Sequence, residues 1–324
     1  MIRTVAEMEE ELSRPSDLDR EAMAPLEGDL LILGAGGKMG PTLAMLAKRA
    51  APDKRVIAVS RFSNPAAAEA LQAAGVEVIA SDLMDERDIR ELPDATNIIF
   101  MAGHKFGTAG NPGATWARNV LLPARCCERY PGAKWVVFSS GNIYPLTRFG
   151  ATEQTETVPV GEYAQTVLGR ERVFEFYEAQ AVYFRLNYAV EYRYGVLLDI
   201  GLAVFERRPV DLSMGRLNCI WQRDANSIAL RSLGMTGKLN VTGPETLAVR
   251  AVAEQFGRIW GVAPQFVGVE GELALLNDAS KCTRLFGYPQ VTAAEAIERT
   301  AQWIGMGGAT LGKPTHFEVT DGRF

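Results

Sequence analysis

The stretch Asp29-Leu30-Leu31-Ile32-Leu33-Gly34-Ala35-Gly36-Gly37-Lys38-Met39-Gly40 decides the fold. Leu30 to Leu33 is an unbroken apolar run, the pattern of a short strand buried on both faces. It ends in a glycine cluster, after which Thr42, Leu43, Met45 and Leu46 take up helical spacing. A strand, a tight glycine turn and a helix in that order form a dinucleotide-binding unit. Gly34 permits the turn, Gly37 lets backbone N–H groups approach a pyrophosphate, and Gly40 lets the helix pack closely. The helix N-terminus adds partial positive charge facing the phosphates. The spacing is Gly34-x-x-Gly37-x-x-Gly40, and Gly36 gives a second reading as G-x-G-x-x-x-G. A P-loop is a poor fit, because Met39 rather than Ser or Thr follows Lys38 and the glycine spacing is wrong.

Outward from this turn, strands and helices alternate. Residues 55–61 read as a second strand, 65–74 as an alanine-rich helix, and 76–80 as a third strand. Residues 97–101 and 135–138 supply a fourth and a fifth, with a long helix containing Trp116 and Asn119 between them. This alternation predicts an α/β fold, a doubly wound parallel Rossmann-type sheet with a smaller C-terminal substrate domain. The expected organisation is an N-terminal helical extension over 1–28 and a dinucleotide-binding domain over 29–186. A substrate domain, interleaved with returns to the sheet, covers 187–305, and a C-terminal tail covers 306–324, a loop or an arm over a neighbour.

The end of the second strand carries Ser60 and Arg61 where an acid would read the adenosine ribose of NAD. A hydroxyl and a guanidinium suit a 2′-phosphate, so NADP is favoured, with NAD possible; the bland alternative is a solvated Arg61. Asp82 and Leu83 close the third strand near the expected adenine. Ala102 and Gly103 leave room for the cofactor at the fourth.

Among 324 residues, 47% are hydrophobic and the net charge is −5 with both signs interspersed, which argues against nucleic acid as a partner. No apolar run is long enough to span a membrane. Glu7, Glu9, Glu10 and Glu11 make the N-terminus unlike a secretory leader, so a cytoplasmic location is expected. The four cysteines, at 126, 127, 219 and 282, show no metal-binding spacing and read as reduced thiols. With two histidines in the chain, no metal site is expected.

Together these motifs resemble the extended short-chain dehydrogenase/reductase family, which includes NAD-dependent epimerases and dehydratases of sugars. The resemblance runs over about residues 29–305. It rests on Gly34 to Gly40, Ser81-Asp82-Leu83, Met101-Ala102-Gly103, Asn119 and Ser139-Ser140-Gly141-Asn142-Ile143-Tyr144. It implies a nicotinamide cofactor held by Gly34, Gly36, Gly37, Lys38, Met39, Gly40, Ser60, Arg61, Asp82, Leu83, Ala102, Gly103, Lys105, Asn119 and Asn187. It implies a catalytic hydroxyl at Ser140 and a catalytic tyrosine at Tyr163. Substrate contacts would come from Asn142, Tyr188 and Arg216, and the molecule would be a homodimer. The substrate would be a small molecule, a sugar or sugar-derived alcohol or ketone, transformed by hydride transfer.

One position departs from the family. The lysine expected four residues after the tyrosine, which would lower the phenol's pKa, is Val167. Three readings follow. Arg170, two turns beyond Tyr163, or Lys105, at the end of the fourth strand, supplies the cation. Alternatively, Tyr163 works unaided or with Asn142 or Glu162. In the third, the chain is a catalytically inactive NADP-binding regulatory or scaffold subunit.

Overall fold

A computed structural model describes residues 2–105, 110–319 and 322. Seven strands form one parallel sheet: β1 (Leu30–Leu33), β2 (Val56–Ser60), β3 (Glu77–Ala80), β4 (Asn97–Phe100), β5 (Lys134–Ser140), β6 (Gln180–Leu186) and β7 (Gly237–Val241). Their order is β7-β6-β5-β4-β1-β2-β3. β1 pairs with both β2 and β4, Leu30 standing opposite Val56 and Asn97. The direction of winding reverses there, and in open α/β sheets the crevice at the strands' carboxyl ends is where ligands bind. The fold class expected from the sequence is thus the one observed.

The alternation of side chains along β1 builds two cores. Leu30 and Ile32 join Leu43, Leu46, Ala58, Val136, Phe184 and Ile228 on one face. Leu31 and Leu33 join Ile57, Val59, Phe100, Trp135 and Phe174 on the other. Both sets are fully enclosed because helices cover both faces, which is why β1 reads as a continuous apolar run. A third core lies beside the sheet, built from the helices Val196–Phe205, Val249–Trp260 and Ala293–Gly305.

The N-terminal segment forms two capped helices, Val5–Leu12 and Asp17–Met23. Met8 and Leu12 enter the third core and Met23 the first. Asp19, buried, accepts from Arg223 at 2.7 Å and from Ser227. The segment therefore packs on its own chain. At the other end, residues 310–319 fold back over the Val196–Phe205 helix. The outermost tail positions 320, 321, 323 and 324 lie outside the described residues.

One local expectation is refined. The long helix before β5 is interrupted: Pro112–Trp116 and Leu122–Arg129 flank a π-helical turn, Ala117–Leu121. Asp278 lies one residue before Ala279, the N-cap of the Ser280–Phe286 helix. Its carboxylate still accepts the first N–H of the Ser280–Phe286 helix, from Ser280 at 2.7 Å.

Candidate active site

The glycine turn is shaped by what surrounds it. Gly34 has φ +89°, and a Cβ there would lie 2.4 Å from the Ala102 nitrogen, so only glycine fits between β1 and the end of β4. A Cβ on Gly40 would lie 2.3 Å from the Ala35 carbonyl, so Gly40 fits against the turn itself. Gly37 differs: it is exposed, and a Cβ there would meet nothing closer than the Gly34 oxygen at 3.6 Å. The protein itself does not demand glycine at 37; a ligand approaching the backbone would. The Gly40–Ala50 helix begins without a side-chain cap, which leaves its first N–H groups, Pro41 aside, without a side-chain acceptor. These features fit a pyrophosphate. At the rim, Ser60 is partly buried, Arg61 and Asp82 are exposed, and Leu83 is buried. The Asp82 carboxylate accepts from the Met84 nitrogen at 3.1 Å, and the Ser81 Oγ is buried without a hydrogen-bond partner.

β5 delivers Ser139 and Ser140 to the crevice. Ser140 Oγ donates to Asn142 Oδ1 at 2.9 Å and accepts from the Asn142 nitrogen at 3.1 Å. Tyr163, in the first turn of the Gly161–Phe176 helix, hydrogen-bonds Ser140. Burial raises the Tyr163 pKa, while the charge of Arg170 and the Ser140 hydrogen bond pull it down. Lys105 Nζ lies 5.8 Å from the centre of the Tyr163 ring, and burial lowers its pKa to about 8.

Val167 is 1% exposed and packs with Ile143, Tyr144 and Ala151. Arg170, one turn further on, is buried. It donates to the Phe138 carbonyl at 2.6 Å and to Asn119 Oδ1 at 2.9 Å, lies 5.3 Å from the centre of the Phe100 ring, and has its pKa lowered by burial to about 10. A Cβ on Gly103 would lie 2.4 Å from its guanidinium, which explains the glycine there.

Several other sequence candidates are engaged within the protein. Asn119 accepts from the His104 nitrogen and Arg170, and donates to the His104 carbonyl and to Thr166, which uses its full capacity. The π-helical turn holds it in that position. Asn187 donates to Asn218 and Leu275. Arg216 donates to the carbonyls of Arg148 and Glu272. Ala102 is buried in the core beneath the turn. Met39 is buried in the opposite core.

Three further groups take roles that distant packing sets. Lys38 donates to the Ala189 carbonyl at 2.6 Å and sits 4.2 Å over the Tyr194 ring, and burial lowers its pKa to about 7. Arg185 and Glu171 form a fully enclosed ion pair at 2.6 Å, to which Ser139 and Tyr144 are hydrogen-bonded. Asp199 is the lone charge in the helix VLLDIGLAVF, a signal that could have been read. It accepts from Thr315, and its field reaches Lys38, Lys105 and Tyr194.

A cavity of about 60 Å3 is lined by Asn142, Tyr188, Val160 and Met214 among others, and neither Ser140 nor Tyr163 lines it. The larger cavity, about 430 Å3, lies between the Val196–Phe205 helix and the tail. It does not touch Ser140 or Tyr163. Among the described residues no group of three or more His, Cys, Asp or Glu side chains is placed to hold a metal ion, and no helix is long and apolar enough to cross a membrane.

No protein-family model and no curated protein matches the chain. Solved structures do. The Bordetella bronchiseptica enzyme WbmG in complex with NAD superposes with a TM-score of 0.74 at 18% identity, covering 90% of this chain and 98% of that one. UDP-glucuronic acid 4-epimerase from Bacillus cereus, in complex with NAD, gives 0.70 at 16%, covering 86% and 98%. dTDP-glucose 4,6-dehydratase from Bacillus anthracis, in complex with NAD, gives 0.72 at 16%, covering 86% and 97%. The chain has the fold that these NAD-complexed epimerase and dehydratase structures share.

Proposed function

We propose that the protein is a nicotinamide-dinucleotide-dependent oxidoreductase or epimerase acting on a sugar or sugar-derived alcohol or ketone. One observation carries this reading. The hydrogen-bonded hydroxyls of Ser140 and Tyr163 stand at the carboxyl end of β5, in the same crevice as the open glycine turn. The likeness to NAD-complexed structures supports it. Gly36, Gly37 and the uncapped helix start would hold the pyrophosphate. Ser60 and Arg61 favour a 2′-phosphate, hence NADP over NAD. A bound nicotinamide supplies hydride exchange at its C4.

The chain's own groups supply the proton chemistry. Ser140 holds the substrate oxygen, and Tyr163 exchanges a proton with it. Because burial raises its pKa, Tyr163 is a proton donor at neutral pH and becomes an acceptor only with cationic help or at alkaline pH. Arg170 and Lys105 supply that positive field in place of the missing lysine, Arg170 through its charge and Lys105 over the ring. Neither side chain takes the space of Val167, which serves the apolar packing beneath Tyr144.

The buried Val167 also favours a second reading, a catalytically silent NADP-binding subunit. A thermal-shift and turnover screen with NAD, NADP and a panel of sugars and nucleotide sugars separates the two. Turnover that Tyr163→Phe abolishes while dinucleotide binding persists supports the enzyme. Dinucleotide binding with no turnover on any sugar supports the silent subunit. A homodimer is part of the proposal. Trp116, Leu121 and Phe176, on the neighbouring helical segments Pro112–Trp116, Ala117–Leu121 and Gly161–Phe176, are large apolar side chains left 41%, 46% and 80% exposed.

A further inference from the structure

Lys38 is the one charged side chain between Gly34 and Gly40. Its backbone belongs to the glycine turn, and its side chain ends on a segment 151 residues away. There Nζ donates to the Ala189 carbonyl at 2.6 Å and lies 4.2 Å from the centre of the Tyr194 ring. Residues 188–195 lead from β6 to the Val196–Phe205 helix. Tyr188 enters the segment with φ +43°, a conformation costly for a residue with a Cβ. Glu191 and Tyr194 close it, each N–H donating to the other's carbonyl, at 3.0 and 3.4 Å. Lys38 thus ties the glycine turn to a tight, strained loop.

The turn's own donors are few. A helix start holds an anion by free N–H groups and partial charge, and here Pro41, the second residue of the Gly40–Ala50 helix, has no N–H. A lysine adds a full charge and three donors, of which the Ala189 carbonyl uses one. The surroundings do little to neutralise that charge. Glu191 and Asp199 favour the protonated amine, while Lys105 and Arg193 oppose it. Both acids are engaged elsewhere: Glu191 accepts from the Arg193 nitrogen at 2.9 Å, and Asp199 from Thr315 at 2.7 and 2.6 Å. Burial raises the pKa of Tyr194, so the ring under Nζ stays neutral. Burial also outweighs the acids at Lys38 and brings its amine down to about 7. An anion in the turn adds the opposite charge that the interior lacks.

We propose that Lys38 is a dinucleotide-binding residue that spans two sites: its ammonium pairs with the pyrophosphate while holding the Ala189 carbonyl, so that cofactor binding takes up a proton and fixes residues 188–195. This rests on the proposed function, because it assumes a dinucleotide in the glycine turn. Near neutral pH the free chain holds a mixture of amine and ammonium, and the complex holds ammonium alone. The proton comes from the buffer, and the fraction taken up rises toward one as pH increases above about 7. Affinity for the dinucleotide therefore falls with rising pH. The Ala189 carbonyl gains in turn, because a charged donor bonds it more strongly than a neutral one.

The test is a fluorescence titration of wild type, Lys38→Met and Lys38→Arg with NADH at about pH 6, 7 and 8. NADH is the probe because the 2′-phosphate of NADPH itself titrates at about 6. Absence of saturable NADH binding to wild type at the lowest pH means that the dinucleotide reading fails, and the role of Lys38 falls with it. Where wild type binds, the dissociation constant should rise about tenfold between about pH 6 and 8. The profile should be flat in Lys38→Met, which carries no charge, and in Lys38→Arg, which carries it throughout. A flat wild-type profile, or the wild-type slope persisting in Lys38→Met, overturns the proposal. Hydrogen exchange at the Glu191 and Tyr194 amides, followed at about pH 8, tests the spanning contact. NADH should slow it about fivefold in wild type and leave it unchanged in Lys38→Met. Equal slowing in both proteins, or none in wild type, overturns the proposal as well.

Discussion

Replacing Arg170 with methionine separates a brace from a tuned cation. Methionine keeps the length of the side chain and its packing against Phe100 and Gly103. Two terms then oppose each other. Burial holds the guanidinium pKa at about 10, well below its ordinary value. At about 1.4 kcal/mol per pH unit, keeping this charge inside the protein costs on the order of 3 kcal/mol, and Arg170→Met removes that cost. The substitution also strips the Phe138 carbonyl and one side of Asn119 Oδ1 of a donor. An unpaired buried acceptor costs about 1–3 kcal/mol. Asn119 Oδ1 keeps its bond from the His104 nitrogen and lies at the low end of that range. The terms nearly cancel, so Arg170→Met should lie within about 2 kcal/mol of wild type in urea denaturation at pH 7. Its effect should fall on Tyr163, which loses the cation pulling its pKa down. The tyrosinate titration, followed by ultraviolet difference against Tyr163→Phe, should move to higher pH. A loss above about 4 kcal/mol, with the Tyr163 titration unmoved, would show that Arg170 is a structural brace and refute the reasoning.

Lys38 gives a pH signature. Its amine is held down to about 7 in the folded chain, whereas an unfolded lysine keeps its proton to about pH 10. The folded state disfavours the charged form, so stability is highest above pH 10 and is lost as pH falls toward 7. Lys38→Met should flatten the rise in Tm between about pH 7 and 9 and raise Tm near pH 7; an unchanged slope would count against it. Lys105, held at about 8, leaves a smaller slope of the same sign. For the proposed dimer, Leu121→Asp combined with Phe176→Asp should halve the mass measured by light scattering without lowering Tm. A wild-type chain that is already monomeric would remove the dimer from the account.

What the sequence made legible was local. The strand, turn and helix over 30–50 depend on neighbours within a few residues, and so do the strands that follow. The Ser140–Tyr163 juxtaposition was legible only through resemblance, because 23 residues separate the two and the sheet brings them together. What was hidden depends on distant packing. Lys38 sits inside the glycine motif, yet its ammonium binds a carbonyl 151 residues away. Asn119 looked like a cofactor residue, and its amide is fully engaged by His104, Thr166 and Arg170. Arg185 is enclosed by Glu171, from the neighbouring helix 14 residues earlier in the chain. The missing lysine at Val167 looked like a gap in the crevice. The valine fills an apolar space, and the charge that acts on Tyr163 is that of Arg170, with Lys105 Nζ 5.8 Å from the ring centre.

The central claim is that the Gly34–Gly40 turn holds a dinucleotide, and Gly37 tests it most directly. A Cβ there meets no protein atom closer than 3.6 Å and the position is exposed, so Gly37→Asp should leave Tm unchanged. Its carboxylate would stand where the account places a pyrophosphate. Titrating wild type and Gly37→Asp with NADH and NADPH by calorimetry should show saturable binding to wild type, NADPH the tighter, and a loss of about 100-fold or more in the variant. No binding to wild type, or equal binding to a folded Gly37→Asp, would contradict the account.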